Sequence, residues 1–283
     1  MPPARFAILA FALALPSCTT APKEPVPIEV LRDIPYAVQG GRSLALDLYR
    51  PREPQAGTLP AVIWIHGGGW RSGSKSEARN VEALAGRGFV GVSLDHRLSA
   101  EAPFPAAVDD VKAAVRWLRT HAAEYGVNPD RIGIWGASSG GHLALMAACG
   151  GETQGGASSR VQAACAWFPP IDLSNDDLSY IREMVQQFLG DSVRSSKALS
   201  ASPFMHASAD DPPVLLFHGE DDLVVPPSHS RLMVDALRKA GGEAKLVLVK
   251  HATHGFDPID GEPDPSKEEI LEESIEFFED KLK

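Results

Sequence analysis

A chain of 283 residues with 44% apolar content is ordinary for a globular protein and fits one α/β domain around a single core. Its formal net charge of -10 repels phosphate backbones, which excludes nucleic acid as a partner. Neither a CxxC nor an HExxH spacing occurs, so a zinc mechanism has no ligand pattern to rest on and no cofactor is implied.

In chain order, Arg5 precedes an apolar run over residues 6–15, long enough for a signal-peptide core and too short to span a bilayer. Leu15, Pro16, Ser17 and Cys18 resemble the lipobox of bacterial lipoproteins, with Cys18 as the lipidated residue, although Pro16 is not a usual residue there. Residues 1–18 are therefore expected to direct export, giving a periplasmic or outer-membrane lipoprotein that meets a membrane only through this anchor. An ordinary cleaved leader and a secreted product is the alternative. Residues 19–27, rich in Pro and Thr, are expected to form an extended tether.

From residue 28 short β-rich runs alternate with amphipathic helical segments, the pattern of a mostly parallel sheet covered on both faces. Residues 28–36 and 43–49, separated by Gly40 and Gly41, read as an antiparallel pair. Buried-type strands follow at 61–65, 89–94, 131–135, 161–167, 214–218 and 244–249. Helical spacing covers 75–86, 106–125, 140–148, 228–240 and 267–282; the charges of the last alternate with Ile270, Leu271, Ile275, Phe277 and Phe278 as a solvated helix face does. Residues 172–203 break the alternation and are expected to form a small lid over the carboxyl ends of the strands, where ligands bind in such sheets. Cys149 and Cys165 read as small buried hydrophobes, although an oxidising compartment would permit a bridge between them.

Gly136, Ala137, Ser138, Ser139 and Gly140 lie between the strand at 131–135 and a helical run. A serine lifted out of the backbone in a strained turn needs small residues two positions to either side, and the helix beyond it favours developing negative charge. Ser138 needs a base, and the base an acid that fixes its tautomer, in the chain order serine, acid, histidine. Asp222, past the strand at 214–218, and His254, past the strand at 244–249, satisfy that order. Asp221, Glu220 and, more weakly, Asp172 compete for the acid, and His251 for the base. His66, Gly67, Gly68, Gly69 and Trp70 follow the strand at 61–65. Amides of Gly67 and Gly68, with that of Ser139, are positioned to hold an oxyanion, and His66 reads as a brace for the loop. His142, His206, His218 and His229 read as structural or solvent-facing.

These residues resemble the α/β-hydrolase superfamily and, within it, the bacterial esterase/lipase group that includes hormone-sensitive-lipase-like and acetylxylan or feruloyl esterase-like enzymes. The resemblance covers roughly residues 30–280 and is carried by 66–70 with Gly73, 95–98, 104–111, 128–141, 202–203, 218–226 and 254–256. It implies an α/β-hydrolase fold of about eight strands with helices on both faces and a small lid. It also implies an acid at Asp222, four residues after the strand-end histidine, and a base at His254. Ala137 stands where hormone-sensitive-lipase relatives often carry Asp, and His96 where Tyr is common, which favours the xylan-esterase-like branch. The expected activity is cleavage of small-molecule or carbohydrate esters through an acyl-enzyme. An amidase, formamidase or peptidase on the same residues, or a non-catalytic binding protein on this fold, are the rival classes.

Overall fold

The computed structural model describes residues 26–53, 57–154 and 156–283. The expected export segment, Cys18 and residues 19–25 of the tether lie outside the described residues.

The strands are β1 (Ile28–Gln39), β2 (Arg42–Pro51), β3 (Leu59–Ile65), β4 (Val90–Leu94), β5 (Val127–Ala137), β6 (Thr153–Gln154), β7 (Ala157–Ser158), β8 (Ala163–Trp167), β9 (Val214–Gly219) and β10 (Ala244–Val249). Eight of them form one sheet in the order β1-β2-β4-β3-β5-β8-β9-β10, while β6 and β7 pair as a separate short hairpin. The β1–β2 and β2–β4 contacts are antiparallel, and β4 through β10 in that order are parallel. This is the α/β-hydrolase fold expected from the sequence.

The helices are α1 (Arg79–Gly86), α2 (Ala106–Thr120), α3 (Ala122–Tyr125), α4 (Ser139–Cys149), α5 (Arg182–Leu189), α6 (Ser196–Ser200), α7 (Ser228–Ala240) and α8 (Lys267–Leu282). Strands buried on both faces can be apolar at every position, and Ala61, Val62, Ile63, Trp64 and Ile65 of β3 are all buried. Their alternation splits the interior in two: Ile63 and Ile65 join the core under α2, α4 and α7, whereas Val62 and Trp64 join the core under α1 and α8. No helix among the described residues is long and apolar enough to cross a membrane.

Several boundaries differ from the sequence expectation for identifiable reasons. The helix expected from residue 75 starts only at Arg79, because Lys75 is held in the preceding loop. Its amide donates to Asp95 Oδ1 at 2.9 Å, and its ammonium pairs with Asp33 and buried Asp47, each at 2.8 Å. The helix expected over 106–125 breaks at His121, whose ring Nδ1 lies 2.8 Å from the Trp117 carbonyl oxygen. The hairpin of β6 and β7 was not foreseen. Cys149 and Cys165 are free thiols, pushed up from their ordinary pKa by burial.

Helix α8 shows how one amphipathic face is secured. Ser266 Oγ accepts from the Glu269 amide and Glu269 Oε2 accepts from the Ser266 amide, a reciprocal cap. Fully buried Phe278 then packs 5.7 Å, ring to ring, from Trp135 of β5. Phe278→Ala is predicted to lower the unfolding free energy by roughly 3–5 kcal/mol in urea denaturation.

Candidate active site

Parallel strands deliver their carboxyl ends to one edge of the sheet, and four loops meet there: those after β3, β5, β9 and β10. After β5 the chain turns at Ser138 with φ 53° and ψ −124°, a conformation that stores strain in a non-glycine residue. The turn closes because its flanks carry no side chains. A Cβ on Gly136 would lie 2.3 Å from the Gly140 carbonyl oxygen, and one on Gly140 would lie 2.2 Å from that of Ile65. Helix α4 starts immediately afterwards, so its first amides are without intrahelical acceptors and its positive end faces the serine.

The structure brings Ser138, His254 and Asp222 together. Ser138 Oγ lies 3.0 Å from His254 Nε2, and His254 Nδ1 lies 2.7 Å from Asp222 Oδ2. The carboxylate accepts, so Nδ1 carries the proton and Nε2 presents its lone pair to the serine hydroxyl. Phe168, just past β8, packs against the imidazole with ring centroids 4.6 Å apart. Its position after a strand's carboxyl end was the available signal, but sequence alone did not single it out.

Asp222 is 2% exposed, whereas Glu220 and Asp221 point to solvent. Its Oδ1 accepts from the Val224 and Val225 amides, each at 2.9 Å. Burial alone would raise its pKa, but hydrogen bonds from His218 and His254 outweigh that and hold it at about 2. The rival base His251 lies apart on the surface, 2.7 Å from Asp260. Asp172 Oδ1 is taken by the Ser174 amide and hydroxyl.

The loop after β3 runs against the serine: a Cβ on Gly67 would sit 3.1 Å from the Ala137 carbonyl oxygen and 3.5 Å from Ser138 Cβ. Gly68, Gly69 and Trp70 then take positive φ in succession, 107°, 62° and 58°. Trp70 is held in that unusual conformation from both sides. Its ring stacks on Phe188 of α5 at 4.6 Å, and its indole N–H donates to His142 Nδ1 at 3.2 Å. His142 in turn donates from Nε2 to the Ala201 carbonyl at 2.7 Å, and burial lowers its pKa to about 4. His66 stacks on His96 at 4.5 Å and lies 2.8 Å, through Nδ1, from the Gly67 carbonyl oxygen. Burial, with His66 alongside, lowers His96 to about 3.

Gly67, Gly68, Ser138, Ser139 and His254 line a cavity of about 530 Å³, closed on one side by Ile181 and Met184. Those two residues belong to the 172–203 insertion. Its helix α5 is anchored through buried Val185, Phe188 and Leu189, and the segment is tied to α7 as well. His229 Nδ1 accepts from the amides of Ile171 and Asp172, and its Nε2 lies 3.0 Å from Asp177 Oδ1. A second cavity of about 640 Å³ adjoins the first, and both are lined by Trp64, Glu77, Ala137 and Phe168.

The BD-FAE family profile matches residues 46–237. Esterase LipQ of Mycobacterium tuberculosis is 34% identical over 242 residues, which is 80% of this chain and 57% of that protein. The chain spans 57–60% of the length of the first mycobacterial relatives it matches. Among solved structures, a truncated carbohydrate esterase from gut microbiota aligns with a TM-score of 0.76 at 29% identity, covering 93% of this chain and 99% of that one. Propionate-bound esterase Est2 of Thermogutta terrifontis aligns with a TM-score of 0.74 at 32% identity, covering 91% and 94%. The same Thermogutta esterase has also been solved phosphonylated by sarin.

The low pKa of Asp222 has a measurable consequence. A carboxylate held below its usual 3.8 stabilises the fold above that pH, and the contribution is lost as pH falls toward about 2. Comparing guanidinium unfolding at pH 4 and pH 2, Asp222→Asn is predicted to lose about 2 kcal/mol less stability across that window than the wild type.

Proposed function

The chain belongs to the BD-FAE family of bacterial α/β-hydrolase esterases, and from that premise we propose that it is a serine carboxylesterase acting on short-chain acyl esters or on acetyl or feruloyl esters of carbohydrates. The observation that carries the reading is the Ser138–His254–Asp222 chain of hydrogen bonds at 3.0 and 2.7 Å. In the proposed cycle His254 Nε2 takes the Ser138 proton as Oγ attacks the ester carbonyl. Asp222 stabilises the imidazolium without taking its proton. The carbonyl oxygen, now negative, is received by the amides of Gly67, Gly68 and Ser139. His254 returns its proton to the departing alkoxide. Water, deprotonated by the same imidazole, then attacks the acyl carbon, and His254 returns the proton to Ser138 Oγ as the acid leaves.

Two adjoining cavities support an ester with substituents on both sides of the reacting carbon. The solved carbohydrate esterase and the propionate-bound esterase support the two substrate classes named. No cofactor enters the cycle.

With p-nitrophenyl acetate and butyrate, Ser138→Ala is expected to lose at least about 1,000-fold in kcat while remaining folded. Equal rates in the two proteins would falsify the assignment. Parallel assays with matched anilide and N-formyl substrates separate an esterase from an amidase. We also propose export with a lipid anchor at Cys18, on the strength of the apolar run over residues 6–15 and the four residues that end at Cys18. In bacteria fed radiolabelled palmitate, the wild type is expected to take up label and Cys18→Ser none; label in both, or in neither, sinks the anchor.

A further inference from the structure

Behind the acid lies a second imidazole that the hydrolytic cycle does not use. His218 is fully buried on β9, four residues before Asp222. Its Nε2 lies 2.8 Å from the Val225 carbonyl oxygen and 3.3 Å from Asp222 Oδ2. Its Nδ1 lies 2.7 Å from Ser230 Oγ, in the first turn of α7. A carbonyl oxygen can only accept, so Nε2 carries the proton and, in the neutral ring, Nδ1 accepts from the Ser230 hydroxyl. The one N–H of Nε2 is therefore shared between the far end of the acid loop and the carboxylate. The oxygen it approaches is the one that receives His254 Nδ1–H.

We propose that Ser230 and His218 form a positioning relay for the catalytic acid: Ser230 sets the tautomer of His218, and His218 holds Asp222 Oδ2 in line with His254. The relay rests on the serine-esterase reading above. Two observations support it independently of that reading. The donor to Val225 ties the loop closed across residues 219–225, so Asp222 is held by its backbone as well as by its side chain. The hydrogen bond from His218 acts with His254 to lower the pKa of Asp222 against the opposing effect of burial. A histidine that merely fills space would be replaceable by an apolar residue of similar volume, whereas a donor is replaceable only by another donor.

The test uses the full chain with His218→Leu, His218→Gln and Ser230→Ala, each checked for folding by thermal unfolding. Glutamine extends an amide N–H to about the place of Nε2, and leucine fills the volume with no donor. His218→Leu is expected to lower kcat roughly 10–100-fold, the effect of removing one hydrogen bond to a charged group. KM should stay within about twofold, because His218 does not line the reaction cavity. His218→Gln is expected to recover most of that kcat, and Ser230→Ala to lose several-fold in kcat at unchanged KM. A glutamine variant no better than leucine, a leucine variant with wild-type kcat, or losses that appear in KM instead would each overturn the relay. Should the leucine variant fail to fold, Ser230→Ala decides: an unchanged kcat overturns the relay, and a several-fold fall at constant KM sustains it. A wild type that turns over no ester sinks the esterase reading itself, while an active wild type with a flat variant series sinks only the relay.

Discussion

Backbone meets backbone where the first turn of α4 crosses the end of β3, and the site can exist only because residue 140 carries no side chain there. The carbonyl oxygens of Ile65 and His66 occupy the space a side chain at residue 140 would need. That contact fixes the start of α4 against the end of β3, beside the place where Gly67 approaches the carbonyl of Ala137. A wider gap would leave the serine exposed but remote from any donor to the oxyanion. The strain at Ser138 is thus maintained by close packing on both sides of the turn and not by the serine itself.

Around this contact, three buried histidines bridge segments of chain through both ring nitrogens. His142 accepts at Nδ1 and donates at Nε2, and the same division holds at His218 and His229. Each ring therefore links two segments of chain in one defined orientation, in a dry interior where an unpaired polar group would be costly. The buried carboxylate of Asp222 has two amides and two imidazoles to stabilise it. Ordering of this kind before substrate arrives is what makes dipoles effective against a developing oxyanion.

Most of the framework was legible in the sequence because strands buried on both faces and helices with one apolar face leave different periodicities. The eight-stranded sheet and the positions of Ser138, Asp222 and His254 after successive strand ends follow from that pattern together with the glycines. What escaped was set by contacts remote in sequence. Lys75 was read as helical, but its partners Asp33, Asp47 and Asp95 come from distant segments. His218 was read as structural because its spacing to Asp222 gives no sign of Ser230 behind it. Phe168 and Met184 reach the site through the path of the chain after β8; helical spacing over 178–189 marks a helix in that insertion but not where it packs.

The first turn of α7 places two unrelated duties on neighbouring residues. Ser230 reaches inward to the imidazole behind the acid, and His229 reaches sideways to residues 171, 172 and 177 at the root of the insertion that walls the cavity. A small rotation or axial slide of this helix would disturb both connections at once. The surroundings of Asp222 and the wall of the cavity are therefore geared to a single rigid body, and substitutions along the outer face of α7 have a mechanical route to both.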